Sequence, residues 1–250
     1  MKSVNYSCNL VHDASKKRKL NVDDKGYYEV TLGAFNVYNS VGEYYPALES
    51  VKQMFSPGGA LRRRLDNGAC RSEMDHPNPS DHPNLMDFIK RVLTIQSDRV
   101  CAHIASVKLE DTRDDKGNPI VLCMGRVKPS GPFGPTLHAS LENTEENVAF
   151  SIRSLTDNHR RNGRVEKNIK NIVTWDYVNE PGISVANKFQ TPTLESLGDE
   201  VLIQEAMLSK IASEKSQVGL ESAQAATMVL TDLGWNKIEV IAPNTNYLMW

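Results

Sequence analysis

The chain has 250 residues, 40% of them hydrophobic, with a formal net charge of -2 and a pI near 6.3. That is enough apolar material for one sizeable core, and the charge balance gives no global reason to expect nucleic acid or an anionic membrane as partner. Cys8, Cys70, Cys101 and Cys123 stand far apart with no C-x-x-C pair, which leaves no zinc knuckle or redox motif spelled out, and no apolar run is long enough to span a bilayer or form a signal peptide, so a soluble intracellular protein with reduced thiols is expected.

Residues 1–27 read as a polar arm, with the run Lys16-Lys17-Arg18-Lys19 followed by Asp23-Asp24-Lys25-Gly26. Residues 28–37 alternate and are rich in β-branched and aromatic side chains, the pattern of a first strand. Leu48, Val51 and Phe55 then recur at roughly helical spacing and predict a helix over residues 45–55, ended by Ser56-Pro57-Gly58-Gly59. Arg62-Arg63-Arg64 reads as an exposed strand or turn. Prolines at 77, 79 and 83 exclude regular structure from the repeated Asp75-His76-Pro77-Asn78 and Asp81-His82-Pro83-Asn84. These two Asp-His pairs do not have the helical i, i+4 spacing of a familiar zinc site, so no metal is assigned.

Residues 85–95 predict an amphipathic helix, and residues 100–109 and 120–124 a hairpin about the turn Asp114-Asp115-Lys116-Gly117-Asn118-Pro119. Residues 128–135 read as a loop and 136–141 as a short strand or helix. Residues 148–155 and 168–178 predict two further strands with a polar, cationic turn at 157–165 between them. Residues 193–215 have the spacing of an exposed amphipathic helix, and residues 223–233 that of a second helix, before an apolar end at 238–250. The expected fold class is α+β and β-rich, with a C-terminal helical extension.

The chemistry is suggested by Val148-Ala149-Phe150-Ser151-Ile152-Arg153-Ser154-Leu155. In a strand, Phe150 and Ile152 face one side while Ser151 and Arg153 share the other, placing a hydroxyl beside a positive charge. A serine becomes nucleophilic only when a base takes its proton, and the base needs a third group to orient it. Glu73-Met74-Asp75-His76-Pro77 upstream and Trp175-Asp176-Tyr177-Val178 downstream supply both residue types.

These three stretches together resemble the prohead (procapsid maturation) serine proteases of large tailed bacteriophages. There an acid-x-x-His-Pro element, a Ser-x-Arg strand and a strand ending in an Asp-x-Val-x-x-Pro-like element follow in this order. The matching residues here are Glu73 to Pro77, Ser151-Ile152-Arg153-Ser154, and Asp176-Tyr177-Val178-Asn179-Glu180-Pro181 with Ala186 beyond. The resemblance implies that Ser151 is the nucleophile, His76 rather than His82 the general base, and Asp176 the third member. Arg153 is expected to stabilise the oxyanion or support the site, its bland reading being a surface ion pair.

The resemblance further implies a closed or nearly closed β-barrel flanked by helices, similar to the herpesvirus assembly protease, spanning residues 28–190 with a helical region at 191–250. It implies cleavage after glutamate in small-x-Glu sites of phage scaffold and capsid precursor proteins inside the prohead, no cofactor, and self-cleavage after Glu214 or Glu221. Self-association stays open. The competing readings are a catalytically inactive capsid-internal or scaffold-associated protein with the same fold, a metallohydrolase, and a basic nucleic-acid module, which the acidic balance and lack of aromatic interleaving oppose.

Overall fold

The computed structural model describes residues 2–7, 20–39, 42–114, 116–161, 163–178, 201–214 and 219–235. Among these described residues, ten strands form two sheets. The four-stranded sheet takes β2 (Tyr28–Phe35), β5 (Arg71–Glu73), β6 (Val100–Arg113) and β7 (Pro119–Pro129) in the order β2-β7-β6-β5. The six-stranded sheet takes β1 (Ser3–Ser7), β3 (Val37–Tyr38), β4 (Tyr44–Tyr45), β8 (Ala149–Arg161), β9 (Arg164–Val178) and β10 (Val201–Gln204) in the order β10-β1-β8-β9-β4-β3.

The helices are α1 (Glu49–Phe55), α2 (Ala60–Asp66), α3 (Leu85–Leu93), α4 (Gly134–Glu142), α5 (Glu205–Ala212) and α6 (Leu220–Asp232).

The expected β-barrel is not confirmed: among the described residues the strands form two sheets, neither closed on itself. They meet where β2 passes into β3 at Asn36, a non-glycine residue with φ of 60°, and again where Met74 bridges Tyr177 in parallel just past β5. Period-two alternation explains the layering. Phe150, Ile152, Trp175 and Tyr177 point into the core shared with Leu32, Ile104 and Val127 of the four-stranded sheet, which α1, α2 and α4 help to close through Val51, Leu61 and Leu137. Leu155 points the other way, into a second core with Val4 and Tyr6 of β1, Phe88, Ile89 and Val92 of α3, and Ala226 and Leu230 of α6.

Three local expectations change. Within the supposed N-terminal arm, Ser3–Ser7 is an inner strand paired with both β8 and β10, because Val4 and Tyr6 bury on one face; residues 8–19, with the basic run, lie outside the described residues. Arg62-Arg63-Arg64 belongs to α2, which buries Leu61 and Leu65 one turn apart, and Arg64 donates to the carbonyls of Ile172 and Val173. The helix expected over 193–215 gives way at Val201–Gln204 to β10, which pairs with β1 before α5 begins. Residues 193–200 and 236–250 lie outside the described residues, as do Cys8, Pro181 and Ala186.

Candidate active site

The two long strands β8 and β9 carry the site near the end where β8 begins and β9 finishes. Their antiparallel register sets Ser151 directly opposite Asp176 and Arg153 opposite Thr174. Cross-strand partners share a face, so Ser151, Arg153 and Asp176 all project to the α3 side of the sheet, away from Phe150 and Trp175. The register shifts immediately beyond, between Arg153 and Ser154, a bulge of the kind that re-aims side chains beside active sites.

His76 arrives from the four-stranded sheet. After β5, the Met74–Tyr177 bridge and the hydrogen bond from Asp75 N to Tyr177 O (2.9 Å) stitch the chain to the end of β9. Asp75 then takes a left-handed conformation, φ 60°, a turn that aspartate tolerates better than most residues, and this swings His76 over the sheet. The succeeding prolines keep the segment out of α-helix and strand, leaving one 3-10 turn at Pro79–Asp81, and Tyr6 donates its hydroxyl to the Pro77 carbonyl at 3.3 Å. The result is a 2.7 Å contact between His76 Nδ1 and Asp176 Oδ2.

The electrostatics fix the tautomer. Burial by itself pushes the Asp176 carboxyl upward, but the Arg153 guanidinium and the hydrogen bond with His76 outweigh that and hold it below the ordinary 3.8. An ionised carboxylate only accepts, so Nδ1 of His76 carries the proton and Nε2 is the basic nitrogen. Asp176 is fully buried and Ser151 nearly so, while the His76 side chain keeps 20% of its surface open.

The bland reading of Arg153, a surface ion pair, does not hold: the residue is 0% exposed. Its Nε and Nη2 donate to Asp176 at 2.8 and 2.7 Å, Nη2 also donates to Glu73, and Nη1 donates to the Thr94 carbonyl at 3.1 Å. Burial alone would make the guanidinium easier to deprotonate; the carboxylates of Asp176 and Glu73 more than reverse this, so Arg153 stays charged. Behind it stands Arg91 of α3, which donates to Glu73 at 2.6 Å.

Arg91 was not singled out in the sequence. Its signal is a charged residue three positions after Phe88, set among the buried Phe88, Ile89, Val92 and Leu93.

The remaining candidates lie elsewhere. His82 packs its ring on Phe88, centroids 5.7 Å apart, and among the described residues forms no ion pair. His103 sits on β6 and meets the Tyr27 hydroxyl at 3.0 Å through Nδ1, with burial lowering its pKa. Glu214 follows α5 and pairs with Lys90 at 2.7 Å, and Glu221 lies in the first turn of α6. Among the described residues no three His, Cys, Asp or Glu side chains are gathered as a metal site, and no helix is long and apolar enough to cross a membrane.

The structure pairs the His76 imidazole with the buried Asp176 carboxylate and sets Ser151 in register opposite that carboxylate, three segments remote in sequence. A capsid maturation protease of Pseudomonas phage phiKZ is 36% identical over 237 residues, which cover 91% of this chain and 87% of that protein. Among solved structures, the capsid assembly protease gp21 of bacteriophage T4 matches with a TM-score of 0.39 and 13% identity, over 71% of this chain and 97% of that one. Residues 6–232 match the family model of the S80 peptidases. The span of that match takes in all three segments of the candidate site, and the chain belongs to the peptidase S80 family.

Proposed function

We propose that this protein is a serine endopeptidase of phage head maturation, with Ser151 as nucleophile, His76 as general base and Asp176 as the residue that orients it. The observation that supports this most is the 2.7 Å pairing of His76 Nδ1 with an Asp176 that stands in register with Ser151. The likeness to a capsid maturation protease supports the setting: scaffold and capsid precursor proteins as substrates, inside the prohead in the host cell.

In the first step Ser151 Oγ bonds to the scissile carbonyl carbon while its proton passes to His76 Nε2, and Asp176 stabilises the imidazolium that forms. Collapse of the tetrahedral intermediate breaks the C–N bond, and His76 returns the proton to the leaving amine. Water then repeats the sequence on the acyl-enzyme, freeing Ser151. Arg153 supports Asp176, since most of its donors already serve carboxylates and the Thr94 carbonyl. No cofactor enters these steps.

The base is tested by two substitutions. His76→Ala is expected to reduce cleavage of a capsid-precursor substrate by at least ~10³-fold, whereas His82→Ala retains activity. Loss in His82→Ala with activity kept in His76→Ala would reverse the assignment.

Cleavage after glutamate with a small residue two places before it, including self-cleavage, completes the proposal. Ala212-Ser213-Glu214 closes α5, whereas Gly219-Leu220-Glu221 runs into the first turn of α6, where a protease must first unwind the helix. The cut is therefore expected after Glu214. Intact-mass analysis should show active protein losing residues 215–250 while Ser151→Ala keeps its full length. Equal masses after prolonged incubation would argue against self-processing.

A further inference from the structure

The charged groups behind His76 form a balanced set whose outer half takes no part in the proton transfers above. Arg153 is divided between two carboxylates: Nε and Nη2 reach Asp176 at 2.8 and 2.7 Å, and Nη2 also reaches Glu73. Glu73 is itself divided, taking Arg91 at 2.6 Å on Oε2, the oxygen that meets Arg153, and the backbone N–H of Gln96 on Oε1. Both arginines donate to the Thr94 carbonyl, at 3.1 and 3.2 Å, which fixes their spacing. Glu73, Arg153 and Asp176 are 0% exposed and Arg91 7%.

Water cannot screen a change of charge in such a place, so removing one member is felt by the others. The more strongly Glu73 holds Arg153, the less completely Arg153 neutralises Asp176. A more negative Asp176 favours the protonated form of His76. Arg91 opposes this by competing for Glu73.

We propose that Glu73 and Arg91 are positioning residues that set the basicity of His76 through Arg153, Glu73 raising it and Arg91 lowering it. The proposal rests on His76 being the general base. Neither residue touches the substrate.

Other groups face the cluster. From β1, Tyr6 acts on Arg153; from β6, Cys101 faces Asp176 and Glu73, its thiol pushed up to about 12 by burial and so neutral. Asp75 and Arg99 flank the His76 turn, Arg99 donating to the Met74 carbonyl at 2.8 Å. The other charged residues of α3 are engaged elsewhere, Asp87 with Asn84 and Lys90 with Glu214. Glu73 and Arg91 are thus the pair whose charges can be altered behind Arg153 without touching the triad.

The experiment follows the His76 imidazole titration by NMR in Ser151→Ala protein, assigned by its loss in His76→Ala. The acid limb of kcat/KM is measured in parallel in proteins that keep Ser151. Glu73→Gln is expected to lower the midpoint by about one pH unit and Arg91→Met to raise it by a similar amount. The double variant E73Q/R91M, balanced again, should return close to the parent value, and Arg91→Lys, which keeps the charge, should stay there.

Thermal melts identify which variants fold, and the contrast between Arg91→Met and Arg91→Lys suffices if Glu73→Gln does not. Single variants that shift the same way, no shift in Arg91→Met, or a double variant that fails to return would overturn the proposal. Shifts as expected in a protein whose His76→Ala form still cleaves would support the electrostatic coupling and overturn His76 as the base.

Discussion

Ser151→Ala is expected to lower kcat for a small-x-Glu substrate by about 10⁴- to 10⁶-fold, the range seen when a serine nucleophile is removed and only transition-state binding remains. The loss should be one of chemistry and not of folding. Ser151 Oγ takes no part in the hydrogen bonds that tie Arg153, Asp176 and Glu73 together, and alanine preserves the strand register opposite Asp176. Unfolding free energy should therefore stay within about 1 kcal/mol of the parent. Hydrolysis by the purified variant at the parent rate would remove Ser151 from the mechanism, and a parent protein equally inert on every capsid precursor would favour a structural role for the fold.

The largest effect on stability is expected from Arg153→Met. It leaves Asp176 and Glu73 buried with one guanidinium, that of Arg91, which pairs with Glu73. Breaking a buried ion pair by removing one partner costs about 3–5 kcal/mol, because the other charge stays uncompensated. Denaturant titration should show that loss.

Its pH dependence has a definite sign. In the parent, the Asp176 carboxyl is held below 3.8, so its contribution to stability is complete above that pH and is lost as pH falls through the folded value. Without Arg153, burial raises the carboxyl above 3.8, and the penalty is relieved on acidification. The gap between parent and variant should accordingly narrow toward acid. An unchanged denaturation midpoint at neutral pH would contradict the buried pairing. Arg153→Lys, which keeps the charge but loses the fork that grips Asp176 through two nitrogens, should fall between the two.

Much of this candidate site is visible in the primary sequence because β8 as far as Arg153, and the end of β9 that faces it, keep their alternation. Ser151 and Arg153 fall on one face, with Phe150 and Ile152 on the other, and Asp176 falls on the matching face of β9. The three motifs that resemble phage prohead proteases lie within the span of the family match.

What stays hidden has physical causes. In β1 only Val4 and Tyr6 are apolar, too few to announce a strand beside a long polar run. Val201, Leu202 and Ile203 suit a helical stripe as readily as the edge strand that they form. Sheet closure depends on which strand edges meet, and alternation says nothing about edges. The burial of Arg153 also depends on partners that local pattern cannot pair with it, since Glu73 lies on the other sheet and the Thr94 carbonyl just past α3.

Helix α3 works on two fronts. Arg91 reaches inward to the cluster behind His76, while Phe88, Ile89 and Val92 share a core with Ala226, Val229 and Leu230 of α6. A cut after Glu214 would sever α6 from the chain and break the covalent tether next to the Lys90 ion pair. Shedding that buttress would remove apolar packing from the helix whose Arg91 anchors Glu73.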